Sequence, residues 1–293
     1  MELSQANGKL VAVGGAEDRE RDCRILKEFL RLAKGPKARV VVMTVATDEP
    51  EEARDEWAAV FKRLGVDEYE VLDVSTREHA NDEEALKKIE WATGLYFTGG
   101  DQLHVTSLLG GTPMHKLIYE RYGKGLVVGG TSAGAAMMSN TMILGGDHET
   151  NPRVEGVQMA PGLDLLIGAI IDTHFSQRGR HGRLLTAVAH NPQDIGFGID
   201  EDTAMIVDKT EFRVVGAGAV TVFDAGAMTY TNLPYAEKKQ GLALFDVKVH
   251  VLSDGCRFDL SERRPVDAEQ KPKKSKSSNN GKAVNKGNHK GKN

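Results

Sequence analysis

Gly125-Leu126-Val127-Val128-Gly129-Gly130-Thr131-Ser132-Ala133-Gly134-Ala135-Ala136-Met137-Met138 is the stretch on which the fold turns, because an apolar run meets a G-x-S-x-G pentapeptide and then a run of small residues and methionines. This order reads as strand, sharp turn and helix. A serine held on such a turn has its hydroxyl pushed clear of the backbone, and flanking glycines remove the Cβ atoms that would clash in so tight a bend. The first amides of the following helix then face the same centre and can stabilise a developing oxyanion. Ser132 is therefore the candidate nucleophile, and the amide of Ala133 a candidate oxyanion donor. Glycine-rich strand-to-helix turns are also common in α/β proteins, so the pentapeptide gains its weight from its surroundings.

Working outward, β-branched runs recur at 9–13, 39–46, 70–74, 94–98 and 125–128. Charged segments of helical periodicity lie between them, as in 18–33, where Cys23, Leu26, Phe29, Leu30 and Ala33 form one apolar stripe. This alternation is the pattern of βαβ units, and it predicts an α/β fold with a mostly parallel sheet flanked by helices. From about residue 195 the pattern changes, and 204–207, 212–215, 219–223 and 245–252 read as strands separated by turns. A C-terminal antiparallel β extension of the sheet is expected there. Ligands of open α/β sheets bind beyond the carboxyl ends of the strands, where Gly14-Gly15, Gly99-Gly100 and Gly129-Gly130 fall. None of these turns is G-x-G-x-x-G or a P-loop, and Glu17 and Asp18 would repel phosphate, so nucleotide binding is not expected.

The 293 residues are 40% hydrophobic and 27% charged, as in soluble globular proteins. No segment approaches the ~20 apolar residues of a membrane span and no leader-like apolar region opens the chain, so a cytoplasmic protein without membrane association is expected. Cys23 and Cys256 have no metal-ligand spacing, and neither metal nor cofactor is expected. Residues 271–293 hold eight lysines and no acid, and removing them from the formal charge of −4 leaves −12 on the first 270 residues. So acidic a body argues against nucleic acid as a partner. The expected organisation is one catalytic α/β domain over 1–268 followed by a basic tail, 269–293, too poor in apolar residues to order itself.

A serine nucleophile needs a base. Among nine histidines His174 stands out, since it follows the apolar run 167–171 within Asp172-Thr173-His174-Phe175-Ser176. The base needs an acid to orient it, and Glu201 within Gly198-Ile199-Asp200-Glu201-Asp202-Thr203 is the candidate, with Asp200 and Asp202 as rivals. Gly100, in Thr98-Gly99-Gly100-Asp101-Gln102, is the second candidate oxyanion donor. Arg178, Arg180 and Arg183 follow His174 closely. Guanidinium forks bind carboxylates in bidentate fashion, so these arginines read either an acidic substrate or structural ion pairs.

Together, Gly14-Gly15-Ala16-Glu17-Asp18, Phe97-Thr98-Gly99-Gly100-Asp101-Gln102, Gly130-Thr131-Ser132-Ala133-Gly134-Ala135 and Asp172-Thr173-His174-Phe175-Ser176-Gln177-Arg178-Gly179-Arg180 closely resemble the cyanophycinases. These belong to a serine peptidase family that also contains the aspartyl dipeptidases, and the resemblance spans about residues 8–265. It implies a class I glutamine amidotransferase-like (flavodoxin-like) fold, a Ser132, His174, Glu201 triad, a homodimer and no metal. It implies cyanophycin as substrate, a poly-aspartate with arginine attached through an isopeptide bond to each β-carboxyl, cleaved from an end to β-Asp-Arg. It also places Gln102, Asp172, Thr173, Arg178, Arg180 and Arg183 in the substrate pocket. Thr173 departs from the family pattern, which has glutamine before the catalytic histidine. The shorter side chain loses an amide and bears on substrate preference.

Three other readings fit parts of the sequence. One is an aspartyl dipeptidase of the same family, and another is an inactive binding homologue that keeps the turn by inheritance. The third is an esterase with chain order Ser, acid, His, in which His190 would be the base and Asp172 its acid.

Overall fold

The computed structural model describes residues 6–146 and 151–266, so the basic tail expected at 269–293 lies outside the described residues. The first half alternates as the sequence predicts. Strands β1 (Lys9–Val13), β2 (Arg39–Met43), β3 (Glu68–Leu72), β4 (Gly94–Phe97) and β5 (Val127–Thr131) are interleaved with α1 (Arg24–Leu32), α2 (Pro50–Arg63), α3 (Glu83–Trp91), α4 (Gln102–Leu109) and α5 (Pro113–Gly123). These five strands pair in parallel in the spatial order β1-β5-β4-β2-β3. Most of their residues are buried on both faces, as a helix-covered parallel sheet requires. In β1, Leu10 and Ala12 enter one core while Val11 and Val13 enter the other. Trp57, Phe29 and Phe61 from α1 and α2 cover the second core, and Ile89, Val105 and Ile118 from α3 to α5 cover the first. Each such fully buried side chain contributes roughly 1.5–3 kcal/mol.

The helix expected over 18–33 is shorter, since α1 starts only at Arg24. Residues 18–23 instead form a loop in which the Asp18 carboxylate accepts from the amides of Glu20, Arg21, Asp22 and Cys23. Those amide bonds hold Asp18 well below the usual carboxylate range. An acid that takes several local amides competes with the helix for them, and here it wins.

After β5 come α6 (Ala133–Ala136), the antiparallel pair β6 (Thr141–Gly146) and β7 (Val157–Pro161), then β8 (Ala169–Asp172), α7 (His181–His190) and β9 (Ile195–Ile199). The remaining strands are β10 (Thr203–Asp208), β11 (Glu211–Gly216), β12 (Ala219–Asp224), β13 (Tyr230–Thr231), β14 (Leu244–Phe245), β15 (Lys248–Ser253), β16 (Arg257–Asp259) and β17 (Arg264–Val266). They do not all extend one sheet. β10, β11, β16 and β17 add antiparallel to β1 and complete a nine-stranded sheet, whereas β15, β12, β9 and β8 form a separate four-stranded sheet. α7 packs Leu184, Ala187 and Val188 with Ile170, Phe175 and Phe223 on that second sheet. Among the described residues no helix is long and apolar enough to cross a membrane.

This arrangement brings the carboxyl ends of β1, β4, β5, β8 and β9 to one place. Ser132, His174 and Glu201 meet there, and most of the expected pocket residues line one cavity with the serine.

Candidate active site

β5 ends at Thr131 and α6 begins at Ala133, so Ser132 carries the whole change of direction, at φ 52° and ψ −110°. A non-glycine residue held in so sparsely populated a region costs of order 1–3 kcal/mol and persists only where the surroundings impose it. Here the Ser132 amide donates to the Val13 carbonyl at 3.0 Å, and its own carbonyl accepts from the amides of Ala135 and Ala136. The backbone is fixed from both sides, and the side chain is left to face His174.

The imidazole of His174 lies between the serine and Glu201. Its Nε2 is 3.0 Å from Ser132 Oγ, and its Nδ1 is 2.7 Å from Glu201 Oε1. A carboxylate only accepts, so Nδ1 carries the ring proton and Nε2 is free to accept from the serine hydroxyl. The two rival acids are engaged elsewhere. Asp200 accepts from the amide and hydroxyl of Ser176 and from the amide of Ala219, while Asp202 accepts from the amide of Asp18. His190, the base of the esterase reading, ends α7 with Nδ1 2.9 Å from the Thr186 carbonyl.

Burial is the largest influence on His174 and pushes it below its ordinary 6.5. Its bond to Glu201 opposes this, and the Arg178 and Arg180 charges add to it. A base must be neutral to accept a proton, so a lowered value keeps it competent in weakly acidic solution. The acid limb of kcat/KM against pH is therefore expected to have its midpoint below 6.5. Arg178→Ala removes a cation and should raise that midpoint. A wild-type midpoint at or above 6.5 would contradict the assignment.

Gly100 lines the same cavity as Ser132, and Ala133 follows the serine as the first residue of α6. Gly100 has φ +140°, and a Cβ there would sit 1.9 Å from the Ala46 carbonyl oxygen, so only glycine brings the chain this close. Neither the Gly100 nor the Ala133 amide has a hydrogen-bond acceptor among the described residues.

A cavity of about 290 Å³ opens beside Ser132, lined among others by Gly100, Gln102, Thr173, Arg178, Arg180 and Arg183. The predicted pocket residues meet there, but not all are free for a ligand. Asp172 is 2% exposed, and its carboxylate is held by both Arg183 and Arg180. Arg183 is thus spent on a buried ion pair, and Asp172 serves to orient arginines. Arg180 also donates to the Thr173 carbonyl at 2.6 Å, yet its buried Nε has no partner among the described residues. Burial pulls its pKa down to about 10 against the pull of Asp172, which leaves it cationic at neutral pH. Arg178 is exposed. The Gln102 amide donates to the carbonyls of Ile143 and Leu144, tying α4 to β6 at the cavity wall.

Sequence reading passed over two supports of the site. Gln177 Oε1 accepts from the Glu201 amide at 3.1 Å, bracing the acid from a position next to the arginine cluster. Glu17 reads as a free acid in the sequence but is buried and bonded to the hydroxyl of Thr131, the residue before the serine. Its only signal was its place in the Gly14–Asp18 motif.

Comparison with known proteins bears on this geometry. The chain is 38% identical over 259 residues to a cyanophycinase of Geminocystis herdmanii, covering 88% of this chain and 95% of that one. It is 36% identical over 261 residues to a cyanophycinase of Trichormus variabilis, covering 88% of each. A crystal structure of a peptidase from an acI-B1 Actinobacterium superposes with a TM-score of 0.60 at 21% identity, over 84% of this chain and 98% of that one, a likeness of fold. The sequence model of Peptidase family S51 matches residues 10–215, a span that runs from β1 through β11 and contains Ser132, His174 and Glu201, and the chain belongs to that family.

Proposed function

We propose that this protein is a serine peptidase that hydrolyses cyanophycin from a chain end, releasing β-Asp-Arg dipeptides. The carrying observation is the unbroken hydrogen-bonded series from Ser132 through His174 to Glu201. The relatives named cyanophycinase support the substrate. In the mechanism, His174 Nε2 takes the Ser132 proton as Oγ attacks an aspartyl backbone carbonyl. The resulting oxyanion is held by the amides of Gly100 and Ala133. The C–N bond then breaks, and His174 returns the proton to the leaving amine. Water, deprotonated by His174, cleaves the acyl-serine and restores the hydroxyl.

Ser132 acts as the nucleophile on a strand-to-helix elbow, and Arg178 and Arg180 hold substrate carboxylates. Arg180 is a candidate because it lines the cavity and stays cationic at neutral pH. A cavity of about 290 Å³ suits a chain end of one or two residues, in keeping with cleavage from the end. The complete triad geometry speaks against an inactive binding homologue. The same reading takes the fold as class I glutamine amidotransferase-like, the protein as a cytoplasmic homodimer, and its catalytic domain as residues 1–268.

Incubation of the purified protein with cyanophycin should yield soluble β-Asp-Arg, identified by mass spectrometry. Turnover of free aspartyl dipeptides with none from the polymer would move the assignment to an aspartyl dipeptidase and direct attention to Thr173, which is 5% exposed beside the cavity.

A further inference from the structure

The segment that leaves β1, residues 13–18, grips Ser132, His174 and the residue after Glu201 through its backbone. The Val13 carbonyl accepts from the Ser132 amide at 3.0 Å, and the Gly14 carbonyl from the His174 amide at 2.7 Å. The Gly15 carbonyl accepts from the amide of Asp202, the neighbour of Glu201, at 2.9 Å. Three successive carbonyls thus set the ends of β5, β8 and β9 relative to one another. Such a frame works only if it is itself held, and the Gly14 amide, which donates to the Thr203 carbonyl at 2.9 Å, holds one part of it. Ala16 has a φ of +47°, a conformation that a non-glycine residue keeps only under outside constraint.

The constraint lies in Glu17. Its side chain is fully buried, and Oε2 accepts from Thr131 Oγ1 at 2.6 Å. Oε1 accepts from the Tyr96 hydroxyl at 3.3 Å and from Arg19 Nε at 3.1 Å. Arg19 is fixed in turn, 4.3 Å above the Trp57 ring and bonded to Glu56 at 2.7 Å. One carboxylate therefore joins the β1 exit to the last residue of β5 and to β4, directly beneath the bend at Ser132.

We infer that Glu17 is a positioning residue of the peptidase. Its bond to Thr131 locks the β1 exit onto β5 and so sets the distance between Ser132 Oγ and His174 Nε2. The inference rests on Ser132 as nucleophile. Glu17 touches no substrate in this scheme, so its loss should lower kcat and leave KM alone. A purely structural role would lower the melting temperature and leave kcat of the folded protein unchanged.

The deciding variant is Thr131→Val, which removes the hydroxyl and keeps the shape, with Thr131→Ser as the conservative partner that restores it. Three quantities are read for each: kcat and KM on cyanophycin, the rate at which a fluorophosphonate probe labels Ser132, and the melting temperature. Thr131→Val should lower kcat by about 100-fold, the scale of a misplacement near 1 Å, with KM within about twofold. Labelling should slow in parallel, and Thr131→Ser should recover most of both losses. A folded Thr131→Val with kcat and labelling within about threefold of wild type overturns the inference, whatever its melting temperature. If Thr131→Val does not fold, Thr131→Ala decides on the same readings, since it too removes the hydroxyl that donates to Glu17. Unlabelled Ser132 in the wild type, with turnover surviving in Ser132→Ala, would instead refute the nucleophile and this inference with it.

Discussion

Ser132→Ala is expected to lower kcat on cyanophycin by about a millionfold, the scale seen when the nucleophile of a serine triad is removed. The fold should survive intact. Ser132 makes no side-chain capping bond to α6, and among the described residues its hydroxyl bonds only to His174, so alanine forfeits one half-buried hydrogen bond. The φ of 52° is no worse for alanine than for serine, because the strain belongs to the backbone and both residues have a Cβ. The melting temperature should therefore stay close to wild type while β-Asp-Arg release falls to a residue due to the Gly100 and Ala133 amides and to binding. Circular dichroism on the same preparation separates loss of chemistry from loss of fold. Turnover near the wild-type rate would remove Ser132 from the mechanism.

Gly15→Ala should be nearly as damaging, although residue 15 takes no part in the chemistry. A Cβ at this position would lie 2.2 Å from His174 Cε1, 2.5 Å from Nε2 and 2.9 Å from Nδ1. These are ring atoms held between Ser132 and Glu201, so the imidazole must leave its place for the methyl group to fit. A shift of about 1 Å at a catalytic base costs on the order of 100-fold in rate, and kcat should fall by at least that much. KM should change little, since Gly15 does not line the cavity. The left-handed backbone at φ +101° adds a stability cost of about 1–3 kcal/mol. Gly168→Ala isolates that second effect, because Gly168 also has positive φ, +75°, but nothing lies within 4 Å of the added Cβ. It should lose stability and keep kcat. If Gly15→Ala kept kcat as well, His174 would have room to spare and would not be held in the way described.

Much of this site was legible because it is local. Ser132 announces itself within one strand, one turn and one helix. His174 and the Gly100 turn follow from the rule that chemistry collects at strand ends. The choice among Asp200, Glu201 and Asp202 was not legible. Three neighbouring acids differ in direction, and direction is set by partners remote in sequence: Ser176 and Ala219 for Asp200, the Asp18 amide for Asp202, and His174 for Glu201. The arginine cluster divided for the same reason. Arg183, on α7, meets Asp172 at the end of β8 and is consumed, whereas Arg178 stays exposed at the cavity.

The sequence by itself determined the parallel half of the sheet, the bend at Ser132 and the residue types available for acid, base and anion recognition. Periodicity and glycine placement are properties of adjacent residues, and adjacent residues are what a sequence displays. Tertiary structure alone decided that the later strands separate into two sheets, that Asp18 delays the start of the first helix, and that Glu17 and Gln177 brace the triad. A buried carboxylate is stable only where distant donors converge on it, and that convergence exists only once the chain has folded.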